Sequence, residues 1–320
     1  MTQRGGERAC GICGAGEASL TLSVREMYYG TRDPFEYWEC AACGCLQIER
    51  VPHNLADYYR DYYSLHREIK RASHPLERWF RRGRLRRALG HTTHPFWALV
   101  ERLAPKRPDE WLRRTGVDVD ARVLDIGSGR GDRLQALYRQ GFRHLQGVDP
   151  FLEGDVRYAN GVTVYARELE EVGGEFDLVM AHHTLEHMPD QHEALTAMAN
   201  RLARGGRLLI RIPLKSSYAW RTYRGDWVQL DPPRHLYLHT DHSFRWLAAA
   251  HDLAVVDSFH DSTAFQFLGS ERYRRDVPLI GQPDEALFSA AERQAFAAQA
   301  RALNASGDGD QACFVLTPRD

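Results

Sequence analysis

Two pairs of cysteines carry the first chemical signal, Cys10-Gly-Ile-Cys13 and Cys40-Ala-Ala-Cys43. A C-x2-C turn places two thiolates on one bend. Two such bends make a tetrahedral four-thiolate site, the ordinary coordination of zinc. Four protein ligands leave no open position, so a zinc held by Cys10, Cys13, Cys40 and Cys43 is expected to be structural; a catalytic zinc is the minor alternative. Cys45 is one thiol more than a closed site needs and reads as a neighbour, with exchange against Cys43 left open. The second signal is Val-Leu-Asp125-Ile-Gly127-Ser128-Gly129-Arg-Gly131, an apolar run ending in alternate glycines. Glycines there let the chain turn sharply and approach a ligand closely. Asp149 ends the next apolar run, where a carboxylate could accept hydrogen bonds from both hydroxyls of a ribose. Glu168 and Leu169 follow a third run, where they could meet a flat ring of the same ligand. The third signal is histidine. His182, His183 and His187 leave a fourth apolar run, and each is a candidate general base because imidazole titrates near neutral pH. Asp231 and His235 lie in an aromatic, proline-containing segment and could orient such a base or bind an acceptor hydroxyl.

These residues need a scaffold that gathers them. From residue 117 onward, short apolar runs alternate with helical segments, the pattern of βαβ units in an α/β fold. The pattern predicts strands at 121–127, 144–149, 162–166, 176–182, 207–213, 253–259 and 312–317. It predicts helices near 130–140, 190–204, 241–251 and 284–303. Cys313 falls in the last strand and reads as inert core. The expected organisation is a cysteine module over 1–50, a helical Tyr- and Arg-rich connector over 51–115, and an α/β domain over 116–320. That domain carries a long loop at 215–240 and an extension from 260 to 320. A loop of that length inside a compact domain is usually functional.

Composition narrows the partners. The formal net charge of −1 gives the whole molecule no pull toward nucleic acid. No apolar run approaches the roughly 18 residues of a membrane-spanning helix, and the amino terminus lacks the apolar core of a secretory signal. A cytoplasmic location with reduced thiols is the resulting expectation. Between Arg67 and Arg87 nine Lys and Arg face two Glu. That stretch reads as a solvated helix face, with an anion-binding wall, membrane-surface contact or an RNA grip as alternatives.

Four segments in order carry a family resemblance: the glycine run 125–131, Asp149, the Phe-Asp…Leu-Glu-His stretch of 176–187, and Arg-Gly-Gly-Arg at 204–207. Together they resemble class I S-adenosylmethionine-dependent methyltransferases. The resemblance implies a Rossmann-like seven-stranded sheet whose last strand inserts antiparallel, with 312–316 as that strand. It also implies S-adenosylmethionine as cofactor, with Asp125, Gly127, Ser128, Gly129, Gly131, Asp149, Glu168, Leu169 and His182 around it. His182 and His183 would then face the methyl group. The segment Trp-Val-Gln-Leu-Asp231-Pro-Pro-Arg-His235 resembles a loop found in the subgroup linked to bacterial glycan and surface polysaccharide clusters, and the cysteine pairs resemble the zinc-ribbon-like module that precedes some sugar methyltransferases. A small, sugar-like acceptor is what that subgroup implies. Trp220, Trp227 and Tyr237 would offer it flat faces, unless they are packed as core. An RNA methyltransferase gripping through the module and the Arg-rich stretch is the second reading, and a non-catalytic cofactor-binding scaffold the third. The acceptor atom and the oligomeric state are not written in these motifs.

Overall fold

The computed structural model describes residues 8–59, 75–105 and 107–319. The elements run β1 (Ala18–Arg25), β2 (Pro34–Cys40), β3 (Leu46–Ile48), α1 (Pro75–Ala88), α2 (Pro95–Leu103), α3 (Glu110–Thr115) and β4 (Arg122–Ile126). They continue with α4 (Asp132–Gln140), β5 (His144–Val148), β6 (Val156–Arg157), β7 (Thr163–Tyr165), β8 (Phe176–His182), α5 (Gln191–Ala199) and β9 (Leu202–Pro213). The remainder is α6 (Tyr218–Tyr223), β10 (Tyr237–Leu238), α7 (Asp241–Ala250), β11 (Leu253–His260), α8 (Phe265–Arg274), α9 (Asp284–Leu287), α10 (Ala290–Ala305) and β12 (Gln311–Pro318).

The large sheet has the order β11-β12-β9-β8-β4-β5-β7-β6. β4, β5, β7, β8 and β9 run parallel, and β12 inserts antiparallel between β9 and β11. All seven expected strands are present. An eighth, the two-residue β6, pairs antiparallel with β7 at the edge; it is too short to leave a periodic signal. The central strands are buried on both faces, as parallel strands between helices must be. Along β8, Val179 and Ala181 face one core with Leu124, Leu208 and Phe314. Leu178 and Met180 face the other with Val123, Trp111 and Leu134. The period-2 alternation of the strand therefore feeds both layers.

Three expectations are corrected. The single helix expected at 284–303 is two, α9 and α10, because Ser289 caps a new helix after Phe288. The helix predicted at 190–204 ends at Ala199, and β9 starts at Leu202 rather than 207. Gly205 and Gly206 interrupt the apolar pattern, so the sequence reads as a turn where the chain is already extended; Gly205 sits at φ 76°. The loop expected over 215–240 is built structure: α6, two turns of 3-10 helix and β10.

The second sheet has the order β1-β2-β3-β10. Its last strand comes from the 215–240 segment, with Tyr237 opposite Gln47 and Leu238 opposite Leu46. The structure thus joins what the sequence boundary at residue 50 separates. Val24, Tyr37, Leu46 and Ile48 share one apolar cluster with Trp220, Trp227, Leu230, Leu238 and Phe267.

Candidate active site and cysteine centre

The glycine turn sits at the carboxyl end of β4. Gly127, Gly129 and Gly131 have φ of 64°, 54° and 86°, the left-handed region that glycine enters without a Cβ penalty. A side chain at Gly127 would also collide with Thr184, its Cβ falling 2.5 Å from Oγ1. The glycine turn therefore packs directly against the exit of β8, and Thr184 Oγ1 donates to the Ile126 carbonyl at 3.0 Å. Asp149 follows β5. Its carboxylate accepts the Gly129 N–H at 2.8 Å and the Phe151 N–H at 3.0 Å. Two of its four acceptor positions remain. The residue is 1% exposed. Burial raises the Asp149 carboxyl against those two N–H bonds, and burial pushes Asp125 up to about 7. Leu169 is buried. Glu168 is exposed and caps the following 3-10 turn, holding Glu171 in a capping box.

At the exit of β8, His182 lies edge-on to Trp111, ring centroids 5.2 Å apart. Burial holds its pKa well below the usual imidazole value, reinforced by the charge of Arg133. His183 adopts φ 52°, a left-handed conformation rare outside glycine and asparagine. Its Nδ1 meets Glu186 Oε1 at 3.1 Å, and its side chain is 30% exposed. Burial would raise the Glu186 carboxyl, but the His183 hydrogen bond and the charges of His183, His187 and His235 outweigh it and bring it down to about 2. Burial and His235 lower His187 to about 4.

The segment after β9 reaches the same place. Leu236 N–H donates to the Glu186 carbonyl at 2.8 Å, and the His187 and His235 rings stand 4.7 Å apart. His187 Nδ1 lies 2.9 Å from the Arg234 carbonyl, and His235 Nδ1 lies 2.7 Å from the Gln229 carbonyl. Glu186 and His187 from the first segment and Arg234 and His235 from the second are therefore in contact, whereas His182 packs on Trp111. Asp231 has a different neighbour from the one expected. It pairs with the fully buried Arg234, and its nearest approach to His235 Nε2 is 4.0 Å. Burial would raise Asp231, but the Arg234 charge holds it below the usual carboxylate range. Arg234 also binds Glu26 at 3.1 Å, tying β1's end to this segment. Trp220 and Trp227 are core, the latter donating to Asp310 at 3.0 Å; they present no open face for a sugar ring.

Two side chains at this site escaped the sequence reading. Trp111 comes from α3 and Arg133 from the first turn of α4. No local pattern marks them. Glu186 did leave a signal: an H-x-x-E spacing puts both side chains on one side of a single turn. Ser128 Oγ, both ring nitrogens of His182 and Glu186 Oε2 are buried without a protein partner. Buried polar atoms are nearly always satisfied, so this group around the ends of β4 and β8 fits a bound polar ligand.

The four cysteine sulfurs lie within 4.8 Å of one another. Cys10 to Cys43 is 3.6 Å and Cys13 to Cys40 is 3.5 Å. A tetrahedral zinc with Zn–S of about 2.3 Å separates its sulfurs by about 3.8 Å, so the cluster is compatible with zinc. Gly14 and Gly44, at φ 76° and 75°, close the two bends by N–H bonds to the Cys10 and Cys40 carbonyls. Gln47 Nε2 donates to Cys10 Sγ at 3.2 Å. Cys45 is buried beside the set, donating toward the Leu46 carbonyl, and Cys313 is buried in β12.

The described part of the Arg-rich stretch is spent on the protein itself. Arg82 pairs with Asp120, Arg86 with Asp118 at 2.9 Å and Arg87 with Glu101 at 2.8 Å. Residues 67–74 lie outside the described residues. Among the described residues no helix is long and apolar enough to cross a membrane.

A parallel sheet with an antiparallel strand inserted beside its fifth, and a glycine turn at its first, defines the class I S-adenosylmethionine-dependent methyltransferases. A family model described as a methyltransferase domain matches residues 80–258, and the chain belongs to that family. The chain is similar to the ubiquinone biosynthesis O-methyltransferase of Xylella fastidiosa strain M23, 32% identical over 119 residues, or 34% of this chain and 48% of that protein. It is 28% identical over 131 residues to the protein of the same name from Serratia proteamaculans strain 568, covering 38% and 54%. The chain spans about half the length of the curated relatives it matches. Among solved structures, it resembles a 1,6-didemethyltoxoflavin-N1-methyltransferase from Burkholderia thailandensis, holding 1,6-didemethyltoxoflavin and S-adenosylhomocysteine. That match has 17% identity, TM-score 0.41, and covers 89% of this chain and 96% of that one. An S-adenosylmethionine-dependent methyltransferase from Mesorhizobium loti matches at 14% identity, TM-score 0.41, covering 62% and 90%.

Proposed function

We propose that the chain transfers the methyl group of S-adenosylmethionine to a hydroxyl of a small acceptor, with His183 as general base and Glu186 as the group that orients it. One observation carries this reading. The His183–Glu186 pair stands at the mouth of β8, packed through Thr184 onto the glycine turn. Gly127, Ser128, Gly129 and Gly131 would hold the cofactor with Asp125, Asp149, Glu168, Leu169 and His182. The cofactor supplies a methyl group on a sulfonium, already a strong leaving group. The protein's part is then alignment, exclusion of water and removal of one proton. A buried carboxylate on Nδ1 leaves Nε2 free to take that proton and favours the imidazolium that results. His182 has no orienting partner, and His187 and His235 are turned by main-chain carbonyls, which is why His183 is preferred. An oxygen acceptor is supported by the names of the curated relatives. A sugar-like acceptor rests on the resemblance of the 220–240 segment alone.

The test is formation of S-adenosylhomocysteine by the full chain with nucleotide sugars, free sugars and phenolic acceptors. A panel without turnover, with cofactor binding intact, would reject these acceptor classes. Asp149→Ala is expected to weaken binding of S-adenosylhomocysteine by about 30-fold, or about 2 kcal/mol, since it removes a buried charged acceptor and frees the Gly129 N–H. Calorimetry giving equal affinities would remove Asp149 from the cofactor site.

We further propose structural zinc at Cys10, Cys13, Cys40 and Cys43. Elemental analysis should find one zinc per chain, and Cys40→Ser should release it. Because the module shares β10, hydrogen exchange should then quicken over β1–β3 and β10 together. Affinity for S-adenosylhomocysteine should stay within about twofold, since none of the residues assigned to the cofactor comes from the cysteine bends or β1–β3. Quickened exchange in β1–β3 alone would show that the shared strand does not couple them.

A further inference from the structure

We infer that Glu186, His187 and His235 form a second metal site, distinct from the cysteine cluster, that takes a divalent first-row cation and presents it to the acceptor's oxygen. The inference deepens the proposed function and rests on it for the acceptor's position, but not for the metal.

One ligand atom from each of the three residues lies within 4.8 Å of the others. His235 Nε2 is 3.9 Å from Glu186 Oε1. Both histidines place Nδ1 on a main-chain carbonyl, Arg234 for His187 and Gln229 for His235. A carbonyl accepts only, so each Nδ1 carries the hydrogen and each Nε2 keeps its lone pair. Metal-binding histidines are fixed in the same way, one ring nitrogen donating to a carbonyl or carboxylate while the other binds. Glu186 is 1% exposed, and its Oε2 has no partner in the protein. An unpaired carboxylate oxygen at that depth is costly unless something positive meets it.

Two imidazoles and one carboxylate on one side leave coordination positions open, unlike the closed thiolate set. An open position can take a hydroxyl oxygen and lower its pKa. This gives the site a substrate class: an acceptor whose hydroxyl, or a pair of neighbouring hydroxyls, can bind a cation. The mixed nitrogen and oxygen donors suit Mn2+, Fe2+, Co2+ or Zn2+ rather than soft cations.

Mn2+ is the probe, because it has little affinity for thiolates and leaves zinc in the cysteine cluster. Titration of the full, zinc-loaded chain should remove the sharp electron paramagnetic resonance signal of aqueous Mn2+ with one equivalent bound. Pulsed measurements should show coupling to histidine nitrogen. His235→Gln and Glu186→Gln should each weaken Mn2+ binding at least about 10- to 100-fold, the loss seen for outer-shell partners being a lower bound for a direct ligand. Retained affinity for S-adenosylhomocysteine reports that each variant is folded. Wild-type protein that leaves the aqueous signal unchanged, or bound Mn2+ without nitrogen coupling, overturns the site. Protein that binds S-adenosylhomocysteine but no Mn2+ overturns the metal and leaves the methyltransferase reading standing. Mn2+ bound with nitrogen coupling, by a protein that turns over no hydroxyl acceptor, supports the metal and removes the acceptor reading.

Discussion

Replacing Arg234 with alanine is expected to destabilise the protein by about 3–5 kcal/mol, the range for removing one partner of a buried ion pair. The guanidinium is fully buried. It binds Asp231 through Nε at 2.9 Å and through a terminal nitrogen, Glu26 at 3.1 Å and the Tyr58 carbonyl at 3.1 Å. It also lies over the Tyr28 ring, 4.5 Å from its centroid. Alanine strands two carboxylates in the interior and empties the space they share. Lysine should recover little, since one ammonium cannot reproduce the fork that meets both acids. The double variant Arg234→Met, Asp231→Asn should recover part of the loss, because it removes an acid together with its counter-charge. Urea unfolding followed at constant slope gives the number. A loss under about 1 kcal/mol, the value of an exposed pair, would mean that water reaches this network.

Methyl transfer should fall by about 10²–10⁴ in His183→Asn, the contribution of a positioned general base. Asparagine is the informative substitution because His183 sits at φ 52°, a conformation asparagine tolerates better than alanine does. The backbone of the β8 exit is then preserved while the proton acceptor is lost. Binding of S-adenosylhomocysteine should change by no more than about twofold. Undiminished turnover on the true acceptor would remove His183 as the base.

The sheet was readable in the sequence because its strands are short apolar runs between turn residues, and parallel strands have to be apolar on both faces. The glycine turn was readable for a related reason: Gly127, Gly129 and Gly131 hold conformations that favour glycine, so the residue type reports the geometry. The cysteine cluster was readable from spacing alone. What the sequence hid are pairings between distant segments. Trp220 and Trp227 looked like ligand faces because aromatic content does not say which side is covered. Asp231 looked like the partner of a histidine, and only the fold brings Glu26 and Arg234 to it. The two-residue β10 has no periodicity to detect, and Arg133 and Trp111 reach the site through packing of α4 and α3.

The pairing of β10 with β3 has a consequence for the order of assembly. Tyr237 and Gln47 are neighbours in the sheet yet about 190 residues apart in the chain, a contact whose loop-closure cost favours late formation. During synthesis the cysteine bends leave the ribosome well before β10 and can gather their thiolates at once. The strand that finishes their sheet emerges only after β9 has been made. Through that interval the edge of β3 is an open template, and the apolar side chains of Leu46 and Ile48 have no permanent cover. An early metal clip would keep this nascent segment compact and unavailable to other edges while the rest of the protein arrives. Scarce metal during expression should then appear first as aggregation, before any loss of activity in the molecules that do fold.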